Sequence, residues 1–160
     1  MSNLLQPLHD EHQMLLPYIE ELRRTADDVG IIPVGELDVS VEACRMFIFD
    51  RLIPHAENET VVMYPHVARL MGSPHATDTM KQDHEGIVRL ADELEALSHE
   101  LHRARRLDDE LAVSLRRVLY SLYAIVGLHF EKEEDVYLPL LREGLTAEET
   151  RTMLGNLAFH

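Results

Sequence analysis

The chain has 160 residues, 46% hydrophobic and 28% charged, which suits one domain that buries its own core without disulfide staples. Twenty-nine acids against 15 bases give a formal charge of −14, with Lys81 and Lys132 the only lysines, and a field of that sign disfavours nucleic acid and anionic membrane as partners. One cysteine, Cys44, rules out an internal disulfide and fits a reducing compartment. The start, Met1-Ser2-Asn3-Leu4, has neither a basic nor an apolar leader, and no apolar run approaches the roughly 20 residues of a membrane span, so a cytoplasmic protein is expected.

Five helical stretches can be read in chain order, and no strand pattern competes with them. The first covers residues 4–28, with Leu5, Leu8, His12, Leu15, Leu16, Ile19 and Leu22 on one stripe. Gly30 to Gly35, with Pro33 inside, reads as a loop. The second stretch covers residues 37–71. Pro54 and Pro65 lie within it, each lacking a backbone donor, so a kink or break is expected at each. Gly72 ends it, and Ser73-Pro74 signals the start of a third, reaching about residue 105. Asp108 can cap the fourth, which runs to Arg142 and stops at Gly144. Thr146 and Glu149 have capping-box spacing and open a short fifth helix. The short connections predict an all-α, up-down-up-down four-helix bundle in a single domain over 1–160, with the bundle at 4–143 and a C-terminal appendage at 144–160.

The chain also repeats itself. His55-Ala56-Glu57-Asn58-Glu59 corresponds to His129-Phe130-Glu131-Lys132-Glu133; Val62 and Val136 follow their histidine by seven, Pro65 and Pro139 by ten. Glu11-His12 before Glu20-Glu21-Leu22 matches Asp83-His84 before Asp92-Glu93-Leu94. Two helical hairpins of one design therefore face each other, and a site between them is expected to be close to two-fold symmetric.

Residues four apart on a helix share a face about 6 Å apart, so His55 points with Glu59 and His129 with Glu133. Both pairs lie on apolar stripes, Ile48, Leu52 and Val62 in one and Leu122, Val126, Val136 and Leu140 in the other. His12 joins from the first helix, and His84 from the third, in line with Met80, Ile87, Ala91 and Leu94. Four histidines and two glutamates converge on one interior. Two carboxylates buried without partners would destabilise a small bundle severely, whereas cations shared between them and completed by neutral imidazoles remove that penalty. Nitrogen and oxygen donors without thiolate suit iron or manganese; structural zinc more often includes cysteine. A lone histidine on an apolar stripe is more often a core residue than a ligand. Four of them, one per helix, with a glutamate one turn after two, argue for a metal site. His66, His75, His99, His102 and His160 read as surface residues, and His9, one turn before His12, is the one rival ligand.

The order His12, His55-x-x-x-Glu59, His84, His129-x-x-x-Glu133 resembles the hemerythrin, or HHE cation-binding, family. So do the flanking runs Asp10-Glu11-His12-Gln13-Met14-Leu15-Leu16 and Gln82-Asp83-His84-Glu85-Gly86-Ile87-Val88. The resemblance implies two iron ions joined by carboxylates and an oxo or hydroxo bridge. By position it implies His12 and His55 on one iron, His84 and His129 on the other, and Glu59 and Glu133 shared. The family's oxygen carriers have a fifth histidine, one turn from the equivalent of His84; Met80 and Val88 occupy those places here. An extra open position favours redox chemistry with small oxidants over simple oxygen carriage, and Tyr137, one turn beyond Glu133, is a candidate to approach it. The resemblance therefore implies a di-iron protein that reacts with hydrogen peroxide or dioxygen, with catalase-like peroxide decomposition as the first activity to test. A module that binds or senses oxygen, nitric oxide or iron without turnover is the alternative. Glu-x-x-His pairs of the ferritin type, HExxH, a Gly-rich phosphate loop and a nucleophile elbow are all absent from the sequence.

Overall fold

A computed structural model describes residues 4–157. Helix α1 spans Gln6–Asp28, α2 Val34–Phe47, α3 Ile53–Val62, α4 Tyr64–Leu70, α5 Asp78–Arg103, α6 Asp109–Lys132, α7 Leu138–Gly144 and α8 Ala147–Asn156. No strand occurs among the described residues. The chain is all-α, a helical bundle.

Four long helical units form a closed ring in which α1 packs on α2 and α6, and α5 packs on α2 and α6. Cross-helix bonds show the sense of each pairing. Glu134 meets His12 while Tyr120 meets Asp27; Cys44 meets Thr25 while His55 meets Glu11. Likewise Asp38 meets His102 while Thr60 meets His84, and Asp83 meets Lys132 while Glu93 meets Arg117. Each neighbouring pair thus runs in opposite sequence order.

The helices are interrupted before Pro54 and Pro65, where that was expected, and also before Pro139, where an unbroken helix was expected, by two different routes. Pro54 and Pro139 are each preceded by a π-helical turn, Ile48–Leu52 and Glu133–Tyr137. In each, the last N–H before the proline reaches back five residues: Ile53 to the Ile48 carbonyl, Leu138 to the Glu133 carbonyl. The wider turn makes room for a ring that would otherwise strike the carbonyl four residues back. At Pro65 the helix instead breaks at Met63. These irregularities rotate the helical segments beyond them. Val136 and Val62, placed on the core stripes by straight-helix spacing, turn out to be exposed and half-buried, while Met63, Tyr64, Tyr137, Leu138 and Leu141 face inward. Leu140 is half-buried and Leu16 is exposed, both contrary to the stripes drawn from sequence.

Helix ends differ by a few residues. α2 starts at Val34, straight after Pro33, so the loop is shorter than expected. α5 starts at Asp78, and residues 74–77 form turns instead of the helix start that Ser73-Pro74 suggested. Gly30 and Gly72 adopt φ +79° and +70°, a left-handed conformation that glycine takes without a Cβ penalty, just past α1 and α4. Asp108 accepts the Leu111 N–H to cap α6, and Thr146 with Glu149 forms a full capping box on α8. By length and composition the helical run Asp109–Gly144 could cross a membrane, contrary to the sequence expectation. In this fold it buries Leu115, Leu119, Leu122 and Val126 against its neighbours.

Two apolar clusters result. The larger holds Leu15, Leu52, Ile87 and Val126; the smaller holds Leu8, Met63, Met80 and Tyr137, and α8 covers it through Met153 and Leu157. On each of the four helical units the candidate ligand lies between a residue of one cluster and a residue of the other. The bundle therefore contains one polar layer between two greasy ones.

Candidate metal centre

The six predicted residues meet in that layer. His12, His55, Glu59 and Glu133 form one four-donor group, and Glu59, His84, His129 and Glu133 form a second; within each, the donor atoms lie within 4.8 Å of one another. All six are buried. Each carboxylate turns one oxygen to each group. Glu59 Oε1 is 3.5 Å from His12 Nε2 and 3.1 Å from His55 Nε2, and its Oε2 is 4.0 Å from His84 Nε2. Glu133 Oε2 is 3.4 Å from His12 Nε2, and its Oε1 is 3.3 Å from His129 Nε2.

The residues fit a cation pair on their own chemistry. Nε2 of His12 and His55, both oxygens of Glu59 and Oε2 of Glu133 are buried and have no hydrogen-bond partner. Five such atoms facing one space are rare in folded proteins, and each would cost about 1–3 kcal/mol if left so. Burial and the nearby Glu59 charge raise the Glu133 carboxyl above its usual range. Burial pushes Glu59 the same way, but His55 and His12 hold it well below that range. Two acids so close cannot both stay charged without positive charge beside them. The donors are nitrogen and oxygen only, since Cys44 lies in the large cluster, bonded to Thr25, with its thiol pushed up by burial to about 11.

A second ring of residues holds the imidazoles by their outer nitrogens, and the repeat organises it. Glu11, one before His12, approaches Nδ1 of His55 at 3.4 Å; Asp83, one before His84, approaches Nδ1 of His129 at 3.2 Å. Glu134, one after Glu133, approaches Nδ1 of His12 at 2.6 Å; Thr60, one after Glu59, approaches Nδ1 of His84 at 2.9 Å. The Thr60 hydroxyl donates to the Ala56 carbonyl, so it accepts from His84 Nδ1 and leaves the inward-facing Nε2 of the neutral ring unprotonated. Burial lowers His84 to about 4, whereas for His12 the same burial is outweighed by Glu134 and Glu59, which raise it to about 9. Such outer partners fix ring orientation and raise donor strength toward a metal.

Sequence reading did not find these four partners, although the matched acids before His12 and His84 were a visible signal for two of them. It also missed Tyr64. Its hydroxyl donates to Glu133 Oε1 at 2.7 Å and lies 3.2 Å from His84 Nε2 and 3.4 Å from His129 Nε2. Burial, with Glu133 and Glu59 beside it, raises its proton affinity far above an ordinary phenol's. Tyr137, the tyrosine singled out from sequence, instead points its hydroxyl toward the Ala76 carbonyl and packs edge-on to Tyr64. His9 pairs with Glu134 at 2.8 Å and belongs to neither donor group. His75, His99 and His102 are exposed and His66 is half-buried; His160 lies outside the described residues.

The family model for the hemerythrin HHE cation-binding domain matches residues 3–141. The chain belongs to that family. Cation binding is therefore its family property, and the His/Glu groups of this HHE domain supply a place for it. No curated protein and no solved structure matched the chain.

Proposed function

We propose that this HHE domain holds two irons and reacts with small oxidants, decomposing hydrogen peroxide in a catalase-like manner. The reading rests above all on the shared carboxylates: Glu59 and Glu133 each offer one oxygen to each donor group, the arrangement a metal pair needs. In it, His12 and His55 serve one iron, and His84 and His129 the other. Iron bound there would supply the reversible electron changes by which two peroxides become two waters and dioxygen.

The chain's own groups do the rest. Glu11, Asp83 and Glu134 lock three imidazoles in orientation, and Thr60 locks the fourth. The two apolar clusters keep bulk water from both sides of the layer. Tyr64 holds a proton close to His84 and His129 and keeps Glu133 in place. One turn on either side of His84, Met80 and Val88 offer no imidazole, which supports chemistry at an open position over oxygen carriage. The single thiol suits a reducing, cytoplasmic setting for such a protein.

The test is oxygen evolution from hydrogen peroxide by the iron-loaded protein, with sustained turnover expected. Two bound irons with peroxide left intact would overturn the enzymatic reading. Reversible spectral changes with dioxygen or nitric oxide in that same protein would then point to a binding or sensing module.

A further inference from the structure

The two ends of the metal centre have different surroundings, and the internal repeat makes the difference measurable. Matching His55 to His129 pairs Ala56 with Phe130 and Thr60 with Glu134; matching His12 to His84 pairs Leu16 with Val88. Two grooves correspond in the same way. One, about 660 Å³ between α1 and α6, runs past Leu16 and Gly127 toward His12. The other, about 360 Å³ between α3 and α5, is lined by Ile53, Ala56, Val61, Ile87 and Val88 and runs toward His84.

At the His12 end the imidazole lies covered at the bottom of its groove. Phe130 stacks on the imidazole with ring centroids 4.5 Å apart, Glu134 covers Nδ1, and the His12 side chain is 1% exposed. At the His84 end a methyl group and a hydroxyl stand in the places of that ring and that carboxylate. The His84 side chain is 11% exposed, against 1–4% for the other three histidines of the site. Both grooves have an imidazole of the centre in their lining, and only in the smaller one is that imidazole partly exposed.

We propose that small uncharged oxidants enter through the α3–α5 groove and meet the centre at its His84 end. The proposal rests on reading the six residues as a metal site. The lining selects the class of molecule. Its walls are aliphatic apart from Thr60, Glu57 and His84, and the molecule carries a formal charge of −14. A carboxylate at the groove and a negative field repel anions, while neutral diatomic molecules and hydrogen peroxide meet no such barrier.

Val88 and Leu16 are half-exposed, so a tryptophan at either can cover its groove without crowding the core. In the iron-loaded protein, Val88→Trp is expected to slow nitric oxide association, followed by stopped-flow absorbance, about tenfold. Ala56→Phe, which copies the opposite end, is expected to act likewise. Leu16→Trp is expected to leave the rate at the wild-type value, with iron content unchanged in all three. A wild-type rate in Val88→Trp with full iron, or slowing in Leu16→Trp alone, would overturn the route. Xenon pressurisation of metal-free crystals gives an arm that needs no iron. Xenon in the α3–α5 groove is expected; xenon only between α1 and α6, or in neither place, would overturn the groove without touching the metal assignment. A protein that takes up no iron would instead overturn the metal reading and leave xenon to decide the groove.

Discussion

Asp83 lies between the His129 imidazole and the Lys132 ammonium, and those two contacts hold its carboxyl below its usual range despite partial burial. It therefore stays charged behind His129 at neutral pH and strengthens that ring as a donor. Asp83→Asn keeps the shape and removes the charge. Metal affinity, read by chelator competition, is expected to fall about 10–100-fold with helicity unchanged; an unchanged affinity would remove Asp83 from the centre. Four of the six central residues were legible because His-x-x-x-Glu states a shared helix face directly, and His12 and His84 because each interrupts an apolar stripe. Their outer partners were not, since Glu11 reaches His55 and Glu134 reaches His12 across helices, over distances no spacing rule encodes. Tyr64 was hidden for another reason. Five residues beyond Glu59, it falls off the stripe of a straight helix, yet past the interruption at Met63 it is buried and meets Glu133.

The buried Cys44 gives a pH prediction at the same scale. Burial raises its thiol from the ordinary value of 9.0 to about 11. The unfolded chain therefore loses this proton first, and above pH 9 the folded state binds more protons than the unfolded one. The contribution is complete below about pH 9 and is lost as pH rises to about 11, amounting to roughly 2–3 kcal/mol. Urea titrations across that range should show the decline in the wild type and a shallower one in Cys44→Ala. Equal slopes would place the thiol in a wetter site than the large cluster.

At the scale of elements, the sequence disclosed helices, caps and prolines, but not how the chain would accommodate each proline. A missing N–H can be met by a wider turn, as before Pro54 and Pro139, or by a break, as before Pro65, and local composition does not choose between them. That choice decides how the core face continues past the proline, so Val136 and Val62 were drawn on stripes they do not keep. The α8 cap was fully legible because a capping box is a local pattern. Thr146→Ala removes the hydroxyl that accepts the Glu149 N–H, leaving the Thr146 backbone N–H to the Glu149 side chain, and is expected to cost about 0.5–2 kcal/mol. Hydrogen exchange should show faster opening of α8 and slight loosening of the cluster beneath Met153 and Leu157. Unchanged α8 protection would mean that packing alone holds it.

At the scale of the whole molecule, a polar layer of four imidazoles and two carboxylates divides the hydrophobic interior into two clusters. Such a layer destabilises a bundle unless cations occupy it, so binding and folding stability are linked. The near two-fold repeat supplies two donor groups from one design. Its departures, Thr60 for Glu134 and Ala56 for Phe130, make the ends unequal. The most direct test is the iron content of the purified protein beside that of Glu59→Ala. Two irons per chain are expected in the wild type, and loss of both in the variant, because both groups share that carboxylate. One iron per chain, or a Glu59→Ala protein that keeps both, would contradict the shared centre.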